Sequence, residues 1–515
     1  MGLKNGEEQS SMVSSFLPHQ GAAESQRLRL LIYVLFYTVF ANIPYWTASR
    51  EFGFMQLGWF CVEYALLGLL ALFIAPVWAA CLLFLLTAVD ILCGICRSYY
   101  LTIEGCFYGR NLFHSMPDSR LYATLAVLLL ALLTAGGAAI LQTDEMTVRT
   151  RARAGVCLVA FCCLIAVAEI VTAVRTTGHI PKLIAAPDKI DTSRSATARL
   201  ARIPILRLLR IEYTEAKIRA TEKTPTDTVS PVLNATDLAL SSAGIGSAKP
   251  REELPNLVIV LVESWGLSSN QAMNVALTHP YFTPAILARY TVQQGSVPFY
   301  GGTIAGEARE LCGNSMGYRL LNSTADKLKG CLPDRLGMLG YETVALHGMD
   351  GNMFDRSNWW RTIGFQQRWF HDQFKQQALP DCAGAFIGTC DAAIAGWIGQ
   401  RLERPDANPE FIHWMTLGSH LPLPVPSGVP SADECLASLS LRPGSALCSW
   451  YQLIDNVHSS VSQVALGKLA RPTIFVVVGD HAPPFGDDAM RRSFSRSVVP
   501  YILLLPREGN ASGLK

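Results

Sequence analysis

The chain lacks an excess of charge of either sign. Its 515 residues include 43 Lys and Arg against 41 Asp and Glu, which gives a net charge of +2. No basic footprint is visible, so we predict no nucleic-acid partner. The first apolar stretch also lacks a small-residue cleavage site after it, which argues against a removed signal peptide. We therefore expect this stretch to act as a membrane helix.

Long hydrophobic runs are abundant, and they are concentrated in the first third of the chain. Half of all residues are hydrophobic. After a polar tail at residues 1–27, five apolar stretches follow, each close to the roughly 20 residues that a membrane helix needs. We predict a domain of five transmembrane helices at residues 28–175, with the helices at residues 30–46, 57–75, 77–96, 121–141 and 154–174.

Basic residues set the predicted orientation. Arg27 and Arg29 precede the first helix, and Arg149, Arg151 and Arg153 lie between the fourth and the fifth. The positive-inside rule places both segments in the cytoplasm. Five crossings then put the N-terminus inside and everything after residue 175 outside.

Three acids fall inside the apolar stretches, namely Glu63, Asp90 and Glu169. Acids within a membrane are costly and are functional candidates by default. Hydrogen bonds between helices, or positions near an interface, are the alternative that we favour.

We interpret residues 176–254 as a connector. Its basic part, 194–223, has apolar residues at helical spacing, so it either lies on the membrane surface or forms a solvated helix. The run after it, rich in Pro, Ser, Ala and Gly, predicts a flexible tether.

Two buried strands with polar residues at their ends mark the domain at residues 255–515. Asn256-Leu-Val-Ile-Val-Leu-Val is followed by Glu263, and Thr473-Ile-Phe-Val-Val-Val-Gly is followed by Asp480 and His481. Continuous Val- and Ile-rich runs are typical of a mainly parallel sheet. Ligands bind at the carboxyl ends of such strands. Carboxylate and imidazole ligands suit one divalent cation, Zn²⁺ or Mn²⁺.

Together with Gly301-Gly-Thr-Ile-Ala-Gly-Glu-Ala-Arg-Glu-Leu-Cys-Gly313, these segments resemble the alkaline phosphatase/sulfatase superfamily. Within it they look like membrane-anchored phospholipid headgroup transferases, which include lipoteichoic acid synthases, phosphoglycerol transferases and lipid A phosphoethanolamine transferases. The resemblance implies a sulfatase-like α/β fold flanked by helices. It also implies a metal shell of Glu263, Thr303, Asp480 and His481, in which Thr303 is the nucleophile that becomes phosphorylated.

The same resemblance points to residues that hold the substrate. His347, Phe354 and Arg356 match a segment in which an Arg holds the headgroup phosphate. His420 matches a Ser-His turn that contacts the phosphate or the leaving oxygen, and a histidine side chain suits acid–base work. Leu421 stands where Gly is usual. Arg309 is a further candidate for phosphate contact, although Glu307, Arg309 and Glu310 together favour a solvated helix face.

The six cysteines of this domain fall in three close couples: Cys312 with Cys331, Cys382 with Cys390, and Cys435 with Cys448. Disulfides between nearest neighbours are the simplest of 15 pairings. The phosphoethanolamine transferases likewise carry local disulfides. We therefore expect a bacterial inner-membrane protein with a periplasmic catalytic domain.

The predicted function is transfer of phosphoglycerol or phosphoethanolamine from a membrane phospholipid to a periplasmic glycan or glycolipid. The sequence leaves the headgroup and the acceptor open. An arylsulfatase would need a Cys or Ser in a C/S-x-P-x-R setting, which Cys312-Gly-Asn-Ser does not supply. A membrane-anchored phosphodiesterase or phosphatase is one alternative, and a non-catalytic membrane scaffold is another.

Overall fold

A computed structural model describes residues 17–56, 58–101, 105, 116–141, 145–177, 200–205, 232–245, 250–322, 328–405, 408–423 and 445–507. The chain forms two compact units. The first comprises Met1–Ile95 and Tyr122–Thr224, and the second comprises Cys96–Leu121 and Pro225–Lys515. Residues 96–121, which the sequence assigned to the membrane domain, thus group with the second unit.

Four helical spans in the described residues are long and apolar enough to cross a membrane. They are Ala23–Phe52, Pro76–Ser98, Asp118–Ile140 and Val148–Val171. The individual helices here are α1 (Leu17–Thr38), α2 (Ile43–Phe52), α3 (Val62–Ala71), α4 (Pro76–Ser98), α5 (Asp118–Ile140) and α6 (Val148–Thr177), with a 3₁₀ turn at Phe40–Asn42.

The second predicted crossing is the shorter helix α3. Its 10 residues rise only about 15 Å, half of a bilayer's hydrocarbon core. The preceding residues instead form strand β1 (Phe60–Cys61), which pairs in parallel with β2 (Ala201–Arg202) of the connector. Pairing with a distant segment therefore shortens the helix that hydrophobicity alone predicts.

The three acids of the apolar stretches all accept hydrogen bonds from residues 200–205. Asp90 forms a buried ion pair with Arg202, with Nη2 2.8 Å from Oδ2. Glu63 and Glu169 accept backbone N–H groups of the same segment at 2.8 to 3.0 Å. These contacts are structural, and they fix part of the connector within the first unit.

The basic stretch at residues 206–223 lies outside the described residues.

A seven-stranded sheet forms the core of the second unit. Its spatial order is β4-β11-β10-β3-β9-β5-β6. The five strands from β10 to β6 run parallel, while β11 and β4 form an antiparallel edge. The strands are β3 (Asn256–Val262), β4 (Tyr290–Pro298), β5 (Glu342–His347), β6 (Gln367–Trp369), β9 (Glu410–Met415), β10 (Thr473–Gly479) and β11 (Val498–Pro506), with a separate hairpin of β7 (Asp381–Cys382) and β8 (Gly388–Thr389). The mainly parallel sheet is confirmed.

Every residue of β3, β9 and β10 is buried, which explains their continuous apolar sequences. The helices of this unit are α7 (Ala235–Ser242), α8 (Gln271–Thr278), α9 (Pro284–Arg289), α10 (Thr303–Cys312), α11 (Leu332–Met338), α12 (Arg356–Thr362), α13 (His371–Gln376), α14 (Asp391–Leu402), α15 (Ala446–Leu466) and α16 (Asp488–Arg492). Short 3₁₀ turns occur at Arg251–Glu253, His279–Tyr281, Gly317–Asn322 and Met353–Asp355.

Helix α7 lies where the sequence predicts a flexible tether. Asn234 caps it by accepting the N–H of Asp237 at 2.7 Å. Its apolar residues Ala235, Ala239 and Leu240 are buried in the core of the second unit. The tether prediction is wrong for this part, because packing against the sheet orders a segment whose composition is weakly apolar.

Two of the three predicted cysteine couples form disulfides, Cys312–Cys331 and Cys382–Cys390. Cys448 is also disulfide-bonded. Its predicted partner, Cys435, lies outside the described residues.

Candidate active site

Two neighbouring parallel strands bring the predicted metal ligands to one edge of the sheet. Val262 at the end of β3 pairs with Gly479 at the end of β10. Glu263 and Asp480 are the next residues of each strand, so both lie at the carboxyl edge. Both side chains are almost completely buried, at 1% and 0% exposure.

His481 completes the cluster. Its Nε2 lies 3.3 Å from Asp480 Oδ2 and 3.6 Å from Glu263 Oε1. Its Nδ1 lies 2.9 Å from the carbonyl of Ala482, and a hydrogen bond there leaves the Nε2 lone pair available to a ligand. One ligand atom from each of the three residues fits within 4.8 Å.

The donor set fits a divalent cation. Burial and the neighbouring Glu263 raise the pKa of Asp480 well above its usual value. Burial also acts to raise the pKa of Glu263, but His420 and His481 hold it below its usual value. Two carboxylates buried side by side repel each other, and a cation between them removes this cost. These residues could therefore hold a metal ion.

Thr303 is the first residue of α10 and lies beside the cluster. Its hydroxyl donates to Glu263 Oε2 at 3.2 Å, and its Oγ1 is 3.5 Å from His481 Nε2. The side chain is 9% exposed. The first N–H groups of a helix have no partner within the helix and, with the helix dipole, favour an anion. The structure thus brings all four predicted shell residues together.

Gly306 allows α10 to approach β10 this closely. A Cβ at Gly306 would lie 2.9 Å from Asp480 Cβ and 3.0 Å from Asp480 Cα. The contact to Cβ is below 3.0 Å, a distance that real Cβ atoms essentially never show, so one of the two elements would have to move. A side chain here would therefore separate Thr303 from Asp480.

Hydrogen bonds that involve backbone groups hold the cluster, and no separate local pattern predicts them. Ser264 adopts a left-handed conformation with φ 58°, and its N–H donates to Asp480 Oδ1 at 2.7 Å. Thr416 accepts the N–H of Glu263 at 2.9 Å, and Ser419 donates to the carbonyl of Glu263 at 2.5 Å. Of these residues, local sequence could have indicated Ser264 alone, because it directly follows Glu263.

Glu307 is not on a solvated face, and that prediction is wrong. It is completely buried and pairs with Arg356, whose Nη2 lies 3.0 Å and whose Nε lies 3.2 Å from Oε2. Trp360 donates to Oε1 at 3.0 Å. Burial raises the pKa of Glu307, but Arg356 and His413 outweigh it, and the pKa falls to about 2. Arg356 thus holds α12 against α10, and its predicted phosphate contact stays a prediction.

Arg309 and Glu310 are buried as well, which also contradicts the solvated-face prediction. Arg309 Nε lies 2.6 Å from Glu310 Oε1, and Nη2 donates to the carbonyl of Gly479 at 2.7 Å. Glu310 in turn accepts the N–H and the hydroxyl of Thr236 at 3.0 and 2.8 Å. Arg309 therefore fixes the end of β10, and its position gives no support to a phosphate contact.

His347 and Phe354 lie near Arg356. His347 is buried at the end of β5, with Nδ1 3.2 Å from the carbonyl of Met415. Burial and the charge of Arg356 lower the pKa of His347 to about 3, so the ring is neutral at physiological pH. Phe354 has a left-handed backbone with φ 51° and places its ring 5.5 Å from the guanidinium of Arg356.

His420 lies close enough to Glu263 for its charge to lower the pKa of that acid. Its Nδ1 is 2.6 Å from the carbonyl of Leu421, which leaves Nε2 for proton exchange. Phe386 packs edge-on against the ring, with centroids 4.8 Å apart. The ring is thus oriented rather than free to rotate.

Residues 255–507 match the Sulfatase family model. This range contains every residue of the cluster described above. No curated protein sequence matches the chain significantly.

Several solved structures are similar to this chain at low identity. Lipooligosaccharide phosphoethanolamine transferase A from Neisseria meningitidis is 12% identical over 88% of this chain and 82% of its own, with a TM-score of 0.44. The lipoteichoic acid synthase LtaP from Listeria monocytogenes is 14% identical over 52% and 71%, with a TM-score of 0.35. A protein of the alkaline phosphatase superfamily from Vibrio parahaemolyticus is 17% identical over 53% and 68%, with a TM-score of 0.37. These TM-scores are below 0.5, so the similarities alone assign no activity to this chain.

Proposed function

Because residues 255–507 match the Sulfatase family model, we propose that the protein is a membrane-anchored phosphotransferase. It moves phosphoglycerol or phosphoethanolamine from a membrane phospholipid to a glycan or glycolipid. The observation that carries this proposal is the Thr303 hydroxyl, which donates to Glu263 at 3.2 Å beside a cluster that can hold a metal ion.

In the first step, Thr303 Oγ1 attacks the phosphorus of the lipid phosphodiester. The hydroxyl proton passes towards Glu263 Oε2, which already accepts its hydrogen bond. The bond between phosphorus and the diacylglycerol oxygen breaks, and that oxygen receives a proton. His420 is placed to supply it through Nε2, because its Nδ1 faces the carbonyl of Leu421.

In the second step, a hydroxyl of the acceptor attacks the phosphorus of phosphorylated Thr303. The bond between phosphorus and Oγ1 breaks, the acceptor proton is removed by His420, and Thr303 regains its hydroxyl proton. Two displacements through one covalent intermediate explain how a single site serves two alcohols.

Glu263, Asp480 and His481 would hold the divalent cation, Zn²⁺ or Mn²⁺, and Thr303 adjoins them. When bound, such a cation lowers the pKa of a hydroxyl ligand and offsets charge on phosphoryl oxygens. The N-terminal N–H groups of α10 add a second source of positive potential beside Thr303.

The proposal includes a location. The catalytic domain lies in the periplasm of a bacterium. The Cys312–Cys331 and Cys382–Cys390 disulfides support an oxidising compartment. The four apolar spans support a membrane anchor, so the bilayer that holds the protein also supplies the lipid donor.

The test follows release of diacylglycerol from fluorescent phosphatidylglycerol and phosphatidylethanolamine in mixed micelles. We expect wild-type protein, with zinc or manganese, to release diacylglycerol faster when a periplasmic glycan acceptor is added. The Thr303→Ala variant should release none. Equal rates with and without any acceptor would indicate a hydrolase, and no release from either lipid would contradict the proposal.

A further inference from the structure

A turn at the end of α4 contacts the catalytic centre. Ser98, Tyr99 and Tyr100 belong to the second compact unit, so these contacts lie within the catalytic unit. The ring of Tyr100 is 5.3 Å from that of His481 and 5.9 Å from that of Phe299. The turn therefore reaches a proposed metal ligand, although it precedes the first catalytic strand by more than a hundred residues.

The backbone of Tyr100 is in an unfavourable conformation for its residue type. Its φ is +56°, and the N–H of Leu101 donates to the carbonyl of Cys96 at 2.9 Å. This is the usual way for a helix to end, but Gly normally occupies the left-handed position. A tyrosine held there indicates that its side chain has a role which the backbone alone does not require.

The role suggested by the contacts is to hold Arg491. The guanidinium carbon of Arg491 lies 5.0 Å from the centroid of the Tyr100 ring, a cation–π distance. Arg491 Nη2 also donates to the carbonyl of Ser98 at 2.7 Å. The turn thus fixes the guanidinium in two ways, one through the ring and one through the backbone.

Arg491 differs from the other arginines near the site. Arg309 and Arg356 are neutralised by Glu310 and Glu307. Arg491 pairs with no carboxylate within the described part of the chain, and its buried Nη1 has no hydrogen-bond partner there. A buried guanidinium N–H without an acceptor is costly, and an anion relieves this cost.

The same turn also orients His420. The ring of Tyr99 stacks on that of His420, with centroids 6.1 Å apart and an angle of 14° between the planes. Phe386 covers another side of the imidazole. Each tyrosine therefore contacts one residue that would meet a transferred phosphate. Tyr100 contacts Arg491, which would meet the phosphate oxygens, and Tyr99 contacts His420, which would meet the leaving group.

We propose that Arg491, held by the Ser98–Tyr100 turn, binds an oxygen of the phosphate on which this centre acts. The planar guanidinium suits a phosphate oxyanion. That the phosphate belongs to a lipid headgroup rests on the proposed function, whereas phosphate binding by Arg491 does not. Tyr99 and Tyr100 are positioning residues in this account.

The first test measures binding of inorganic phosphate to full-length, zinc-loaded protein by titration calorimetry. Arg491→Gln should raise the dissociation constant about 10- to 100-fold, the usual cost of a charged hydrogen bond, without changing zinc content. Arg491→Lys should restore part of the affinity. Arg492→Gln, at the exposed neighbouring residue, is the matched control and should bind as wild type does.

Tyr100→Gly and Tyr100→Phe separate the ring from the backbone. Glycine favours the left-handed conformation, so Tyr100→Gly removes the ring without straining the turn and should weaken phosphate binding. Tyr100→Phe keeps the ring and should leave phosphate binding unchanged. Phosphate binding by Arg491→Gln at wild-type affinity, or no phosphate binding by wild type, would overturn the assignment.

A second arm identifies the source of the phosphate. Short-chain phosphatidylglycerol and phosphatidylethanolamine, below their micellar concentrations, should compete with inorganic phosphate, and Arg491→Gln should raise KM for the lipid more than it lowers kcat. If neither lipid competes, the lipid assignment of this phosphate site fails. If wild type binds phosphate through Arg491 but turns over neither lipid, the proposed transferase activity fails while the role of Arg491 stands.

Discussion

Arg356 and Glu307 form a buried ion pair, with Nη2 of the arginine 3.0 Å from Oε2 of the glutamate. Neither residue is more than 1% exposed. Glu307 lies one helical turn after Thr303 on α10, and Arg356 begins α12. The pair therefore connects the helix that carries the proposed nucleophile to the neighbouring helix.

Glu307→Gln should destabilise the catalytic domain by about 3–5 kcal/mol, because it leaves the Arg356 guanidinium buried without its counter-charge. Chemical unfolding followed by tryptophan fluorescence measures the change. Arg335→Gln is the matched control: it breaks the half-exposed pair with Asp237, which should cost less than about 1 kcal/mol. Equal losses of unfolding free energy in the two variants would show that the buried pair stabilises the domain no more than the half-exposed pair does.

Gly306→Ala should reduce turnover about 100-fold, since a shift of about 1 Å in a catalytic group has that effect. The new methyl group would collide with Asp480 and displace Thr303 from the cluster. Gly396→Ala on α14 is the control, because a Cβ there meets no atom within 4 Å. Unchanged turnover in Gly306→Ala would mean that α10 and β10 need not approach so closely.

Asp480→Asn should abolish tight metal binding, measured as zinc or manganese per protein after dialysis. Loss of a direct ligand should exceed the roughly 10- to 100-fold cost of losing an outer hydrogen-bond partner. Asp372→Asn, at an exposed acid of α13, should retain the metal. Retention of metal by Asp480→Asn would remove Asp480 from the shell.

The affinity for the metal should also fall as the pH is lowered. Burial and Glu263 raise the pKa of Asp480, so the metal-free carboxyl keeps its proton to a higher pH than usual. Metal binding must release that proton. Calorimetry in buffers of different ionisation enthalpy measures the release, and no proton release would contradict the raised pKa.

His458 should make the domain less stable in acid. Burial lowers its pKa to about 3, whereas in the unfolded chain it titrates near about 6.5. Between these values the unfolded chain binds the extra proton, so stability falls as pH decreases, by up to about 1.4 kcal/mol per pH unit.

His458→Gln should flatten this dependence. Melting between pH 7 and pH 4 can be followed by fluorescence, because Trp265 packs on the His458 ring with centroids 4.3 Å apart. His347, which is buried in the same way, contributes to the slope in both proteins. An identical slope in wild type and variant would exclude His458 as a source.

Local sequence was enough to predict that the candidate metal ligands lie together. Glu263 and Asp480 each follow a run of buried apolar residues, and adjacent parallel strands align their ends. The Gly-Gly-Thr motif placed Thr303 at the start of a helix. In each case the relevant neighbours lie within a few residues along the chain, or in the next strand of the sheet.

Contacts between distant segments could not be read from local pattern. The polar spacing of Glu307, Arg309 and Glu310 is that of an exposed helix face. In the fold that face is buried, and its side chains form hydrogen bonds with Arg356, Gly479 and Thr236. The same cause shortened α3, where β2 of the connector competes for its first residues. Polar side chains with distant partners look identical, in sequence, to solvated ones.

Intact-protein mass spectrometry of the full-length, metal-loaded protein tests whether Thr303 forms a covalent intermediate. It is incubated with phosphatidylglycerol or phosphatidylethanolamine and no acceptor, beside Thr303→Ala. We predict a mass increase equal to one phosphorylated headgroup with one of the lipids, absent from Thr303→Ala. The same adduct in Thr303→Ala, or no adduct with either lipid in wild type, would contradict a covalent intermediate on Thr303.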